Sequence, residues 1–105
     1  MRDKLRRYSL AMDHEDGGPK AYLFKQMLGI TITEIDHLAE EIRAGVLITP
    51  ITRVWETPFG QRCQVRIPVR GVGAHHTRVM PVTTGWELRY VGDRPRCVTA
   101  YIKGR

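Results

Sequence analysis

The sequence lacks the features that mark membrane proteins and disulfide-stabilised secreted domains. No apolar run approaches the roughly 20 residues that a membrane-spanning helix needs. The N-terminus is basic, but no hydrophobic segment follows it, so we expect neither a signal peptide nor a membrane location. The chain has only two cysteines, Cys63 and Cys97. We expect both to be free thiols in a cytoplasmic protein, although a single disulfide between them stays open.

Metal-binding motifs are missing as well. The four histidines are His14, His37, His75 and His76. Their spacing matches neither the helical i, i+4 pair of a zinc protease nor a set that includes Cys-x-x-Cys. We therefore expect no metal site and no cofactor.

Acidic residues become scarce in the second part of the chain. Residues 1–44 contain seven Lys or Arg and eight Asp or Glu, whereas residues 45–105 contain ten and three, which gives net charges of −1 and +7. A cationic half of this kind suggests a surface that meets an anion, most commonly a nucleic acid. The alternative is a solvated basic surface that only keeps the protein soluble.

The length and composition are those of one globular domain. At 105 residues the chain can form a single packed core, and its apolar fraction is 42%. We divide the domain, residues 1–105, into an N-terminal arm and loop (1–16), two helices (17–45) and an antiparallel sheet (46–103). Residues 4–11 of the arm are predicted to be extended.

Two helices are predicted before the sheet. In the first, Pro19 suits the first turn and Gly29 suits the C-terminal cap, with apolar residues at helical spacing between them. The second, over residues 31–45, opens with Thr31 and Glu34, which form a capping-box pattern. Its apolar residues recur at i, i+3, i+4 and i+7, which is one face of a helix.

The rest of the chain is rich in β-forming residues. The predicted strands are residues 46–49 and 51–55, separated by Pro50, then 61–69, 77–83, 86–91 and 97–102. Within 61–69 apolar and polar residues alternate, which is typical of a strand with one buried face. The sequence therefore predicts an α+β fold in which two N-terminal helices pack on one face of a four- to five-stranded antiparallel sheet.

The opposite face of the sheet would carry the polar side chains of the strands. Arginine offers paired donors to a phosphate, and tyrosine or histidine can stack on bases or act on a 2′-hydroxyl. Thr99 and Tyr101 are two residues apart, so a strand would point both to one face, which is also what the polar side of an ordinary strand looks like. We expect RNA binding by Arg62, Arg66, His75, His76 and Arg89.

A second group of polar residues precedes the first helix. His14 lies in an acidic loop just before that helix, and Lys20 lies early in it. Imidazole can give or take a proton at neutral pH, and lysine can stabilise a phosphate oxygen as a point charge. The alternative is a solvated surface loop followed by a surface lysine.

Three sequence blocks carry a family resemblance. YSLAMDHEDGGPKAYLFKQMLGI is similar to the opening of a family of small toxin-associated domains of unknown function. TPFGQRCQVRIPVRGVG and GWELRYVGDRPRCVTAYI resemble later blocks of that family, in matching order over roughly residues 7–102. The last block also resembles the barnase–EndoU–colicin–RelE group of ribonuclease toxins, in which two N-terminal helices pack on a four-stranded antiparallel sheet.

This resemblance implies a metal-independent ribonuclease site. It would be drawn from His14 and Lys20 on the helical side and from Arg78, Thr99 and Tyr101 on the strands. The leading hypothesis is a toxin domain, of the polymorphic-toxin or toxin–antitoxin kind, that cleaves RNA through attack by the 2′-hydroxyl. The alternatives are a non-catalytic RNA-binding module and a protein-interaction module. The expected partners are RNA and an acidic antitoxin or immunity protein.

Overall fold

The structure, a computed structural model, describes Leu5 and residues 18–103. Its helices and strands are α1 (Gly18–Leu28), α2 (Ile35–Val46), β1 (Ile51–Thr57), β2 (Gly60–Arg70), β3 (Val79–Leu88) and β4 (Arg96–Tyr101). Short 3₁₀ turns lie at Ile32–Glu34 and Gly73–His75. Except for Leu5, the predicted extended arm falls outside the described residues. None of the helices in residues 18–103 is long and apolar enough to cross a membrane.

Local sequence signals place both helices. Gly29 has φ 69°, the left-handed conformation that favours glycine, and its N–H donates to the carbonyl of Lys25 at 3.0 Å, which ends α1. The Thr31 hydroxyl accepts from the N–H of Thr33, and the Glu34 carboxylate accepts from the N–H of Thr31. This capping box leads through the 3₁₀ turn into α2. The predicted glycine cap and capping box are both confirmed.

The four strands form one antiparallel sheet in chain order, β1-β2-β3-β4. The longest pairing joins β2 to β3, from Gln61 opposite Leu88 to Arg70 opposite Val79. The predicted α+β fold with two helices and an antiparallel sheet is therefore confirmed. The helices lie in the middle of the chain, beginning at Gly18, and not at its N-terminus, and the strands number four within the described residues.

Two predicted strand boundaries are wrong. Residues 46–49 are not a strand, because α2 continues to Val46 and a turn follows. The predicted strands 77–83 and 86–91 are one continuous strand, β3, which passes through Gly85.

Pro81 lies inside β3, directly opposite Pro68 of β2. Only β2 and β3 are paired where the two prolines lie. The pairing of β1 with β2 stops at Val65, and the pairing of β4 with β3 stops at Thr83. The two prolines therefore remove no hydrogen bond to an outer strand, which explains how central strands tolerate them.

The core lies between the helices and one face of the sheet. α2 contacts β2 closely, because a Cβ on Gly45 would come within 2.2 Å of the Ile67 Cγ2. Every second residue of β2 is buried on this side, as the alternation predicts. Completely buried side chains include Phe24, Leu28, Leu38, Ile42, Ile67, Val69 and Val82.

Both cysteines are buried free thiols on this inner face. In the register of the sheet, Trp86 of β3 pairs with Cys63 on β2 and with Cys97 on β4. Burial raises the pKa of the Cys63 thiol, and it raises the pKa of Cys97 to about 11.

Candidate nucleic-acid interface

Three rows of side chains cross the face of the sheet that points away from the helices. Residues directly opposite one another in an antiparallel sheet project from the same face, so the register identifies the rows. Neighbouring rows are two residues apart along β2 and β3, or about 7 Å, whereas a register shift on β4 places Thr99 and Arg96 three residues apart. The first row is Arg66, Thr83 and Tyr101, the central row is Arg53, Gln64, Gly85 and Thr99, and the third row is Trp55, Arg62, Glu87 and Arg96. We call this surface the polar face.

One residue of the first row, Tyr101 on the edge strand β4, is reached by a side chain of α1. The Nζ of Lys20 lies 5.4 Å from the centroid of the Tyr101 ring, within the range of a cation–π contact. Tyr101, Arg66 and Thr83 help to line a shallow cavity of about 400 Å³. No carboxylate of the described residues lies within salt-bridge distance of Arg66. Two cations and a phenol predicted from the sequence are thus brought to one end of the polar face.

The central row has no side chain on β3, because its residue on that strand is Gly85. Thr99 lies opposite it, and a Cβ on Gly85 would come within 2.7 Å of the Thr99 Cγ2. The register confirms that Thr99 and Tyr101 share one face. Thr99 therefore lies between the first and third rows, where its hydroxyl can reach a group bound at either.

The third row borders the larger cavity, of about 660 Å³. Glu87 lines this cavity, and its carboxylate accepts hydrogen bonds from Arg62 Nη2 at 3.3 Å and from Arg89 Nε at 3.4 Å. Arg96 and Thr99 line the same cavity. We call the site formed by Arg62, Glu87, Arg89, Arg96 and Thr99 the arginine pocket.

A turn between β3 and β4 shapes the arginine pocket. The N–H of Arg89 donates to Asp93 Oδ2 at 2.9 Å, and Arg96 Nη1 lies 3.9 Å from the same oxygen. The Arg89 hydrogen bond, opposed by burial and assisted by the charge of Arg96, holds the pKa of Asp93 below its usual range. Asp93 thus keeps the ends of β3 and β4 together and positions two of the pocket's arginines.

Sequence reasoning missed two parts of this face. Glu87 was overlooked, although it is two residues from Arg89 and is one of only three acidic residues in 45–105. The second part is on β1, where the Arg53 guanidinium lies 4.8 Å from the centroid of the Trp55 ring. Their i, i+2 spacing in a predicted strand was the available signal. An aromatic ring covered by a guanidinium is a surface on which a base can stack.

Three predicted site residues lie just before the start of β3, away from the rows of the polar face. Arg78 precedes β3 and donates from Nη1 to the carbonyl of Met27 at 3.4 Å, at the C-terminal end of α1. It is five residues before Thr83, or about 17 Å along the strand direction. His75 and His76 lie in the neighbouring 3₁₀ turn, where His76 Nδ1 is 3.0 Å from a backbone carbonyl of that turn. The structure does not bring these three residues to the polar-face rows.

The other two histidines of the chain are His14 and His37. His14 lies outside the described residues. His37, on α2, hydrogen-bonds through Nε2 to the carbonyl of Arg70 at 2.7 Å. Among residues 18–103 no three His, Cys, Asp or Glu side chains form a group that could hold a metal ion.

Comparisons with other proteins give a family but no activity. No curated protein and no solved structure matches the chain. One family model matches residues 1–104, and its description is a domain of unknown function. That description names neither a toxin nor a nuclease, so the activity stays a prediction. The chain belongs to this family, DUF6883.

Proposed function

We propose that this protein binds single-stranded RNA on the polar face and cleaves it there without a metal ion. The observation that supports this most is the placement of Lys20 over Tyr101, at one end of a surface that carries several arginines. Phosphate binding needs cations, and strand scission needs a group that can transfer a proton within reach of the bound phosphate. Lys20 and Tyr101 supply one of each.

The cation and the hydroxyls have separate roles in the proposed reaction. The 2′-oxygen attacks the adjacent phosphorus while a base takes its proton, and the 5′-oxygen leaves with a proton from an acid. Lys20 and Arg66 stabilise the charge on the phosphoryl oxygens. Tyr101 takes part in proton transfer and Thr99 orients the substrate. The products are a 2′,3′-cyclic phosphate and a 5′-hydroxyl.

His14 completes the proposal as the second proton-transfer group. It is six residues before Lys20 in the chain. Arg78 has no role in the proposed site, because it lies with Met27 at the opposite end of α1.

The test is incubation of the purified chain with total RNA in excess chelator. We expect fragments that end in a 2′,3′-cyclic phosphate, detected by their resistance to ligation until the cyclic end is opened and the phosphate is removed. If the RNA stays intact over a wide range of protein concentration, the enzyme proposal fails.

A non-catalytic RNA-binding module is the second candidate. It is favoured by the absence of histidine from the rows of the polar face, in the part of the chain that the structure describes. This candidate predicts salt-sensitive binding, because phosphate contacts release counterions, and intact RNA afterwards. Titration of labelled RNA at two salt concentrations, followed by analysis of its length, separates the two candidates.

An acidic antitoxin or immunity protein remains a proposed partner. The arginines of the polar face are complementary to a carboxylate-rich surface as well as to RNA. Such a partner would compete with RNA for the same face. Adding it to a mixture of the protein and labelled RNA should then release the RNA.

A further inference from the structure

The arginine pocket contains a buried donor that the protein leaves unsatisfied. Arg62 Nε is buried and has no hydrogen-bond partner among the described residues. A buried donor without an acceptor carries an unfavourable desolvation cost, so such groups are rare in folded proteins and call for an explanation. A ligand that supplies an acceptor to the pocket would remove that cost.

The contacts to Glu87 do not saturate the two neighbouring guanidinium groups. They measure 3.3 Å from Arg62 and 3.4 Å from Arg89. Charge-assisted hydrogen bonds are usually about 2.7–2.9 Å, and each guanidinium carries five N–H donors. Glu87 therefore holds the two arginines near each other while leaving donors on both for another acceptor.

The balance of charge in the pocket favours an anion. Three arginines and one glutamate line the cavity. Asp93 pairs with Arg96 from outside this lining, so the site as a whole carries a net charge of +1. One phosphodiester of an RNA strand, which carries a single negative charge, neutralises this excess. A tetrahedral phosphate also offers several oxygens that can accept from different arginines at once.

We propose that the arginine pocket binds a phosphate group of the RNA strand, as a subsite separate from the site of scission at Lys20 and Tyr101. This inference rests on the proposed function for the source of the phosphate. The third and first rows are four residues apart along β3, from Glu87 to Thr83, which is about 13 Å. A few nucleotides of extended RNA bridge that span along the polar face.

The experiment follows the N–H of Arg62 itself. The Nε–H signal in a ¹H–¹⁵N spectrum is assigned by its loss in Arg62→Lys. The wild type is then titrated with inorganic phosphate and, separately, with a short 2′-O-methyl oligoribonucleotide, which cannot be cleaved because it lacks the 2′-hydroxyl. Sodium chloride at matched ionic strength is the control. We expect both ligands to shift the Arg62 signal, and the salt to leave it in place.

The outcomes separate this inference from the proposed function. If the oligonucleotide shifts backbone signals of the first row but neither ligand moves the Arg62 Nε–H, the subsite is overturned while RNA binding stands. If inorganic phosphate moves it and the oligonucleotide does not, the pocket binds phosphate from another source, and the RNA subsite is overturned. If the oligonucleotide moves it and the protein cuts no RNA, the subsite stands and the enzyme proposal falls.

A matched pair of variants gives a second readout. Arg62→Gln should weaken oligonucleotide binding and reduce the slope of log K against log salt by about one, because one phosphate contact is lost. Arg70→Gln, at the far end of the same strand, should change neither quantity. An unchanged slope in Arg62→Gln, in a variant that keeps the wild-type spectrum elsewhere, contradicts the subsite.

Discussion

Thr99 lies directly opposite Gly85 across the β3–β4 pair, and no side chain larger than hydrogen fits between them. A Cβ on Gly85 would come within 2.7 Å of the Thr99 Cγ2. We therefore expect Gly85→Ala to lower the free energy of unfolding by about 1–3 kcal/mol, as overpacking does elsewhere. Urea denaturation monitored by tryptophan fluorescence measures this loss.

The same position offers its own control. Thr99→Ser keeps the hydroxyl and removes the methyl group that collides with the new Cβ. In the Thr99→Ser background, Gly85→Ala should cost clearly less than in the wild type, because the two changes are in direct contact and their effects do not add. Equal costs in the two backgrounds would contradict the close approach.

Arg78 should be dispensable for RNA binding and cleavage. Its side chain is exposed and donates to the Met27 carbonyl over 3.4 Å, five residues before Thr83, which is the residue of β3 opposite Tyr101. Arg78→Gln should therefore change the free energy of unfolding by at most about 1 kcal/mol. Filter binding and cleavage of a labelled RNA should give wild-type values. Loss of cleavage with retained folding would place Arg78 back in the active site.

The buried thiol of Cys97 should make stability fall at alkaline pH. Burial raises its pKa from 9.0 to about 11, so folding favours the neutral thiol. This contribution is fully present below pH 9 and is lost as the pH rises through 11, and its size is roughly 2–3 kcal/mol for a shift of this order. Urea denaturation at pH 8 and pH 10.5 measures it.

Cys97→Ala is the matched variant for that measurement. Removing the thiol lowers stability somewhat at every pH, but it also removes this titration. The difference in unfolding free energy between pH 8 and pH 10.5 should therefore be smaller in Cys97→Ala than in the wild type, by about 2 kcal/mol. The same pH dependence in both proteins would show that the thiol does not ionise on unfolding.

Local signals predicted the elements that are locally determined. The Gly29 cap and the Thr31–Glu34 capping box depend on residues three or four apart, and both were found as expected. Two other glycines have tertiary reasons that the sequence does not show. The helix predicted to end at Gly45 continues one residue further, to Val46, and only a glycine at position 45 can approach Ile67. The predicted strands 77–83 and 86–91 left a gap at residues 84 and 85, yet Gly85 continues β3 where Thr99 leaves no room.

The candidate site was predictable only as far as periodicity reaches. The two-residue repeat of a strand predicts correctly that Thr99 and Tyr101 share a face. Arg78 was grouped with Tyr101 by the family resemblance, and the distance between them depends on register, which the sequence does not give. Glu87 was missed because a search for cations on a basic surface passes over the carboxylates that position them.

The central claim is that the polar face cleaves RNA at Lys20 and Tyr101. The direct measurement is the single-turnover cleavage rate of an end-labelled single-stranded RNA in excess chelator. Tyr101→Phe keeps the ring under Lys20 and removes the hydroxyl, so binding should persist while the rate falls by about 10²–10⁴-fold.

Two lysine variants complete that measurement. Lys20→Gln should lower both affinity and rate, because it removes a phosphate contact. Lys25→Gln, on an exposed position of the same helix, should alter neither. Cleavage by Tyr101→Phe at the wild-type rate, or intact RNA after incubation with the wild type, would contradict the account.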